Sequence, residues 1–164
     1  MWRSPLTYFY IAIGLGILWF FASRYYFTPR LDMQLTFLDE SGIENDLSLL
    51  AGKPLIVHFY ASWCGPCMRE MPSLANEYMA LQTMGYEIIC LTDDNLDAVT
   101  RIKNSLPQVL PIYRLKGSLQ DAGIYNIPQT FVFKKDGTLA HHLRGEAAWS
   151  NPEWHTFLKE TANK

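Results

Sequence analysis

The segment HFYASWCGPCMREMPSL, residues 58–74, joins two different structural patterns and so decides the fold of this chain. Residues 55–60, LIVHFY, are apolar and rich in β-branched and aromatic side chains, as is typical of a buried strand. From residue 65 to residue 84, apolar side chains recur at three- and four-residue spacing, which predicts an amphipathic helix. Cys64 and Cys67 therefore lie where a buried strand ends and a helix begins.

Outward from this segment, the chain after residue 32 alternates predicted strands with predicted helices. Asp136-Gly137 separates two β-rich runs and is a strong hairpin signal. The order of elements predicts an α/β fold with a mixed central sheet and helices on both faces. Further strands are expected at Met33–Leu38, Tyr86–Leu91, Val109–Leu115, Thr130–Lys135 and Thr138–Leu143. Helices are expected at Leu96–Leu106 and Pro152–Thr161, and a helical turn at Gly117–Gly123. Asn151 is the expected N-cap of the last helix, with Pro152 at its first position.

The spacing of the two cysteines suits thiol–disulfide exchange. At a helix N-terminus, exposed backbone N–H groups and the helix dipole favour a thiolate, which is the species that attacks a disulfide. A cysteine three residues later lies one turn away and can resolve a mixed disulfide. We therefore assign Cys64 as the nucleophile and Cys67 as the resolving thiol.

Other uses of a cysteine pair fit this sequence less well. A zinc site needs a second ligand pair, but only Cys90 remains and the four histidines form no ligand pattern, so no metal is predicted. Covalent haem attachment requires a histidine after the second cysteine, and Met68 occupies that position. A purely structural disulfide across three residues would constrain little chain. No cofactor is predicted.

Three motifs carry a resemblance to a known family. They are WCGPC at 63–67, Glu70 followed by Met71-Pro72, and IPQTFVF at 127–133 ahead of Asp136-Gly137. Together they make most of the chain after residue 33 resemble the thioredoxin superfamily, and in particular its TlpA/ResA-like branch of membrane-anchored extracytoplasmic thioredoxins. The resemblance implies a thioredoxin fold, protein disulfide substrates, a transmembrane thiol electron donor and reductase roles such as cytochrome c maturation.

The resemblance also assigns roles to individual residues. Pro128 matches the cis-proline of the family, which would expose the backbone of Ile127 for strand-like pairing with a substrate peptide. Glu70 matches a glutamate that follows the cysteine motif in this branch. A carboxylate there is expected to relay protons or tune a thiol pKa, and a solvated helix glutamate is the alternative. Trp63, Gly65 and Pro66 are expected to complete the substrate-binding surface with Ile127, with packing as the alternative role of Trp63.

His58 departs from the family pattern, which has aspartate or asparagine at this point of the strand. An imidazole there either takes part in proton transfer or is a satisfied core side chain. Cys90, inside an apolar strand, is expected to behave as a small hydrophobe. Asp93-Asp94 is expected to form a loop or to cap the next helix.

The N-terminal segment is far more apolar than the rest. Residues 6–22 carry no charge and, extended to residue 27, are long enough to span a bilayer as a helix, so we predict one N-terminal transmembrane helix. A cleaved signal or a core helix are the alternatives. The predicted organisation is an anchor at 1–27, a linker at 28–32 and a thioredoxin-like domain at 33–164. Charged flanking residues do not decide the orientation; the resemblance places the domain on the periplasmic side.

Charge and composition exclude some functions. A net charge of −2 over 164 residues gives no basic surface for nucleic acid. A copper-handling module or a thiol peroxidase are the alternative functions. The former would favour a wider cysteine spacing, and the latter a Thr-x-x-Cys site where this chain has Ser62 and Trp63 before Cys64. Gly65-Pro66 and Ile127 resemble the residues of reducing thioredoxins rather than those of strong oxidants, so the resemblance implies a reductase, but the sequence does not fix the reduction potential.

Overall fold

The computed structural model describes residues 5–26 and 31–162, with side chains at 8–20 and 31–162. The chain divides into two compact units, Met1–Arg30 and Leu31–Lys164. The first unit contains helix α1, Pro5–Tyr26, whose side chains at 8–20 are exposed. Among the described residues, no helix combines the length and the apolar character needed to cross a membrane. The predicted anchor at 1–27 extends at both ends outside the described residues.

The second unit is built on a seven-stranded sheet in the order β2-β1-β5-β4-β3-β6-β7. Strand β3 is parallel to β4, and β4 to β5, while the other neighbours are antiparallel, so the predicted mixed sheet is confirmed. The strands are β1 Thr36–Leu38, β2 Glu44–Asp46, β3 Leu55–Phe59, β4 Glu87–Thr92, β5 Ile112–Leu115, β6 Gln129–Phe133 and β7 Leu139–Arg144. The helices are α2 Gly65–Thr83, α3 Leu96–Ser105 and α4 Pro152–Ala162, with a short 3-10 helix at Leu47–Leu50.

Strand β3 is the centre of the core, because all five of its residues are buried. It lies between β4 and β6, and its residues alternate between the two faces of the sheet. His58 shares one face with His141 of β7. Helix α2 contacts this face at His58 and helix α4 contacts it at His141. The strand thus carries the chain from the core directly to the cysteine pair.

The structure differs from the sequence prediction mainly near the sheet edge. Strand β1 begins at Thr36 rather than at residue 33, because the N–H of Leu35 donates to the carbonyl of Asp32 at 3.1 Å and closes a turn. Strand β2 and the 3-10 helix were not predicted, since ENDLSLL has no strand-like alternation. Strand β5 begins only after Pro111. The helical turn predicted at residues 117–123 is present, because the N–H of Ala122 donates to the carbonyl of Ser118 at 3.2 Å.

The predicted C-terminal hairpin and helix are confirmed. Gly137 has φ +81°, the left-handed conformation that this turn needs. The N–H of Lys134 donates to the carbonyl of Thr138 at 2.9 Å and closes the hairpin. Asn151 accepts from the N–H of Glu153 at 2.8 Å, and α4 begins at the next residue, Pro152.

Candidate active site

The cysteine pair lies at the junction of β3 and α2, as the sequence predicts. Cys64 is the N-cap of α2 and has extended backbone angles, φ −87° and ψ 102°. Its Sγ accepts the N–H of Cys67 at 3.2 Å, and the two sulfurs are joined in a disulfide. Gly65 and Pro66 form the first turn, where a proline costs no helical hydrogen bond. A helix N-terminus therefore faces the first sulfur, which is the arrangement that stabilises a thiolate.

The two cysteines differ in access. Cys64 keeps 5% of its surface exposed, whereas Cys67 is fully buried. Trp63, immediately before the pair, is 71% exposed, so its indole forms part of the surface around Cys64. An incoming disulfide can therefore meet Cys64 before Cys67.

The loop before β6 closes over the first sulfur. The peptide bond between Ile127 and Pro128 is cis, and the carbonyl oxygen of Ile127 lies 3.8 Å from Sγ of Cys64. The carbonyl of Pro128 accepts the N–H of Gly145 at 2.8 Å. Gln129 holds the loop from within, because its side-chain amide donates to the carbonyl of Asn126 at 2.5 Å. The loop is thus fixed beside the cysteine pair.

Beneath the pair lies a buried polar group that spans three elements. His58 on β3 has Nε2 at 3.2 Å from Oε1 of Glu70 on α2. Its Nδ1 is 3.0 Å from Oγ1 of Thr130 on β6. The other carboxylate oxygen of Glu70 accepts the N–H of Ala147 at 2.6 Å. Glu70 is therefore not the solvated helix glutamate that the sequence left open as an alternative.

Burial shifts the pKa of both ionisable members of this group. Loss of solvation lowers the pKa of His58 to about 4, so the imidazole is neutral at physiological pH. Burial raises the pKa of Glu70 to about 7; the N–H of Ala147 opposes the rise and the nearby Glu146 adds to it. A carboxyl group that titrates near neutrality is suited to exchange protons with a thiol.

A second carboxylate, that of Asp94, holds the loop that precedes Cys64. Its oxygens accept the backbone N–H of Ser62 at 2.7 Å and the hydroxyl of Ser62 at 2.8 Å. Thr92 donates to the same carboxylate at 2.9 Å, and Arg114 donates to the Asp94 carbonyl at 3.1 Å. The predicted loop is confirmed at Asp93-Asp94, and the cap of α3 is the next residue, Asn95. A signal was present: Asp94 closely follows the strand parallel to β3, and the carboxyl ends of such strands converge.

Cys90 and Arg69 have ordinary structural positions. Cys90 is a buried free thiol, and burial raises its pKa, so it is un-ionised at physiological pH. Arg69 pairs with Glu146, which ties the first turns of α2 to the segment after β7. Among the described residues, no three His, Cys, Asp or Glu side chains are grouped so as to hold a metal ion.

Together these residues form a two-layer arrangement. The upper layer has Cys64 beside the half-buried Ile127 and the buried Pro128, with Trp63 exposed next to Cys64. Glu70 and His58 lie in the core, with Glu70 one helical turn beyond Cys67. The arrangement can exchange a disulfide at its surface and handle a proton below it.

Comparisons with known proteins agree with this chemistry. The sequence profile of the AhpC/TSA family matches residues 28–142. Thiol-disulfide oxidoreductase ResA of Bacillus thuringiensis subsp. konkukian is 29% identical over 148 residues, which cover 83% of this chain and 84% of that protein.

Solved structures match the fold. A thiol:disulfide interchange protein DsbE from Chlorobium tepidum has a TM-score of 0.67 and 16% identity, covering 82% of this chain and 98% of that one. The thioredoxin domain of a thiol-disulfide oxidoreductase from Bacteroides vulgatus has a TM-score of 0.65 and 19% identity, covering 83% of this chain and 100% of that domain. The fold of residues 31–162 is therefore the predicted thioredoxin fold.

Proposed function

The chain belongs to the AhpC/TSA family and is a thiol–disulfide oxidoreductase, and from this premise we propose that it reduces disulfides of protein substrates on the outer side of a membrane. The observation that carries the proposal is the position of Cys64. Its sulfur caps a helix, keeps a little exposure, and lies beside the carbonyl of Ile127, whereas Cys67 is buried behind it.

The proposed reaction begins with the pair reduced. The Cys64 thiolate attacks one sulfur of a substrate disulfide, forming a mixed disulfide and releasing one substrate thiolate. Cys67, as its thiolate, then attacks the Cys64 sulfur, forms the internal disulfide and releases the second substrate sulfur. Two electrons pass from the pair to the substrate, whose two sulfurs take up two protons. The oxidised pair must then be reduced again, and we propose a membrane-embedded dithiol donor for that step.

Glu70 is the proposed proton acceptor for the second step. Cys67 must lose a proton before it attacks, yet it is fully buried and has no direct access to solvent. Glu70 lies one turn further along α2, with a pKa that burial raises to about 7. The proton of Cys67 passes to the Glu70 carboxylate as the thiolate forms, so no second negative charge builds up in the core.

The substrate is proposed to bind as an extended peptide. Ile127 and the cis Pro128 present backbone beside Cys64, which supports strand-like pairing with the residues around the substrate cysteine. Trp63 supplies an exposed apolar face, and Gly65 and Pro66 leave the approach to the sulfur free of long side chains. Main-chain pairing would give affinity without demanding one substrate sequence.

Membrane attachment and an outer location are part of the same proposal. They are supported by the uncharged run at residues 6–22 and by the resemblance to the membrane-anchored branch of the superfamily. We expect the full-length chain to stay in the membrane after alkaline carbonate washing, with residues 31–164 cleaved by protease added outside intact cells. A soluble mature chain beginning after about residue 23 would favour a cleaved signal, and full protection from protease would refute the outer location.

Two single variants test the order of attack. Cys67→Ser should accumulate stable mixed disulfides with substrates, because no resolving thiol remains, whereas Cys64→Ser should trap few and abolish exchange. Each variant is captured from cells and examined by electrophoresis without reductant. Capture by Cys64→Ser alone would reverse the assignment. If neither variant captured a partner and the wild-type pair stayed oxidised under every growth condition, the pair would be a structural disulfide.

A further inference from the structure

Two buried polar atoms below the cysteine pair lie close to each other. They are Nε2 of His58 and Oε1 of Glu70, 3.2 Å apart. Neither makes a well-aligned hydrogen bond in this conformation, and the Trp149 indole is the other side-chain donor that acts on Glu70. The opposite ring nitrogen of His58 has a partner in the hydroxyl of Thr130, 3.0 Å away. We propose that Thr130, His58 and Glu70 form a hydrogen-bonded relay in which the neutral imidazole changes tautomer whenever Glu70 gains or loses its proton.

The donors and acceptors match in both protonation states of Glu70. When Glu70 is a carboxylate, His58 carries its hydrogen on Nε2 and donates to Oε1, while the hydroxyl of Thr130 donates to Nδ1. When Glu70 is a carboxylic acid, its O–H donates to Nε2, and His58 carries its hydrogen on Nδ1 and donates to Oγ1 of Thr130. Only a hydroxyl can be the donor in one state and the acceptor in the other, so Thr130 is essential to the scheme.

The change is balanced by a single proton. Oε1 of Glu70 gains a proton, and the ring loses the hydrogen on Nε2 and gains one on Nδ1, so the pair as a whole gains one proton and the ring ends neutral. The reverse sequence releases one proton. No buried polar atom of the three side chains is left unpaired in either state, and an unpaired buried group is the costly alternative.

The surroundings keep this titration separate from others. Tyr60, immediately after β3, stacks on the His58 ring with the ring centroids 6.5 Å apart. Cys90 on β4 is paired with His58 in the sheet register, and the Trp149 ring packs edge-to-face against His58 with the centroids 6.0 Å apart. Burial raises the pKa of both Tyr60 and Cys90, so both stay neutral near pH 7. Glu146, half-exposed after β7, is the remaining charge that acts on Glu70. Cys64 and Cys67 do not titrate while they are joined as the disulfide.

For the enzyme, the relay would let Glu70 accept a proton without leaving a buried group unpaired. This use rests on the proposed function, because it assumes that Glu70 takes the proton of Cys67. His58 and Thr130 act through Glu70 and are positioning residues. The asparagine or aspartate that the family resemblance predicts at position 58 has no imidazole ring and so cannot exchange a hydrogen between two nitrogens in this way.

The test is 15N NMR of histidine side chains in the oxidised full-length chain, kept in mild detergent. His58 is assigned by elimination with single glutamine variants of the other three histidines. We expect its Nε2 to carry the hydrogen above the transition of Glu70 and its Nδ1 to carry it below, with no imidazolium between pH 5 and pH 8. A ring that keeps one tautomer throughout, or that becomes doubly protonated in this range, would overturn the relay.

Three variants make the test specific. Glu70→Gln should remove the tautomer transition. Thr130→Val, which keeps the shape but removes the hydroxyl, should lower its midpoint by about half a pH unit or more, because an unpaired buried N–H is worse tolerated than an unpaired acceptor. Thr130→Ser keeps the hydroxyl and should titrate like the wild type. Identical midpoints in the Val and Ser variants would overturn the role of Thr130. The oxidised protein is not exchanging disulfides, so this result is independent of whether the trapping experiment succeeds.

Discussion

Removing the carboxyl group of Glu70 should change how the stability of the protein depends on pH. Burial raises the pKa of Glu70 from its ordinary 4.5 to about 7 in the folded protein. Between these two values the unfolded chain is ionised and the folded chain is not, so folding keeps a proton and stability falls as pH rises. The slope is at most about 1.4 kcal/mol per pH unit.

His58 has the opposite effect on how stability depends on pH, over nearly the same pH range. Burial lowers its pKa from 6.5 to about 4, so between these values the unfolded chain binds a proton that the folded chain does not. Stability from this residue is complete above pH 6.5 and is lost as pH falls towards 4. Between about pH 4.5 and pH 6.5 the contributions of Glu70 and His58 should largely cancel in the wild type.

Single substitutions remove the cancellation. As the pH rises from 4.5 to 6.5, the unfolding free energy of Glu70→Gln should rise by about 2–3 kcal/mol relative to the wild type. Over the same range, that of His58→Asn should fall by a similar amount. The measurement is urea unfolding of the oxidised full-length chain in mild detergent, followed by tryptophan fluorescence at several pH values. Glu160→Gln, an exposed carboxylate on α4, is the matched control and should follow the wild type. Differences from wild type that stay constant with pH for both core variants would refute the assigned pKa shifts.

Three further predictions concern the cysteines and the loop that holds them. Above pH 7 a charged Glu70 disfavours a nearby thiolate. Glu70→Gln should therefore lower the apparent pKa of thiol alkylation in the reduced protein by about one unit. An unchanged pH profile would show that Glu70 takes no part in the thiol chemistry. Asp94→Ala deletes the acceptor of three hydrogen bonds, so it should destabilise the protein by about 2 kcal/mol and slow disulfide exchange. The control variant Asp97→Asn, at an exposed position, should change neither the stability nor the exchange rate. Cys90→Ser should leave the exchange rate within about twofold of wild type, since a buried neutral thiol takes no part in exchange; a large loss in a folded variant would make Cys90 a third redox thiol.

The parts of the fold predicted from sequence are those whose pattern is local. Strand β3 is a continuous apolar run, and α2 has apolar residues at three- and four-residue spacing. Asp136-Gly137 marks the turn of the hairpin between β6 and β7. Each is specified by neighbours within a few residues, so the prediction needs no knowledge of distant contacts. Strand β2 has no such pattern: Glu44–Asp46 is polar and becomes a strand only because β1 offers it a partner.

The site divides in the same way. Cys64 and Cys67 could be assigned from spacing and from their place at a helix start, because that chemistry lies within four residues. The role of Asp94 was missed because its partner Ser62 is 32 positions away, and the position of Asp94 after a strand does not by itself identify that partner. The sequence marked Glu70 and His58 separately, one as a family match and one as a departure from it, but did not show that they are neighbours.

The departure at position 58 gains its meaning only from the contacts. A histidine inside a buried strand is by itself more readily explained as packing, and its side chain is fully buried. Two other elements nevertheless converge on its two ring nitrogens, with a hydroxyl from β6 on one side and a carboxylate from α2 on the other. Without those partners an apolar side chain would be more stable at this buried position, because the cost of burying unpaired imidazole nitrogens exceeds the gain from packing the ring. A neutral imidazole is the side chain that can donate to a carboxylate and accept from a carboxylic acid at the same atom. Its position beneath a disulfide, where a proton must be moved each time the pair is oxidised or reduced, therefore connects this substitution to the redox chemistry.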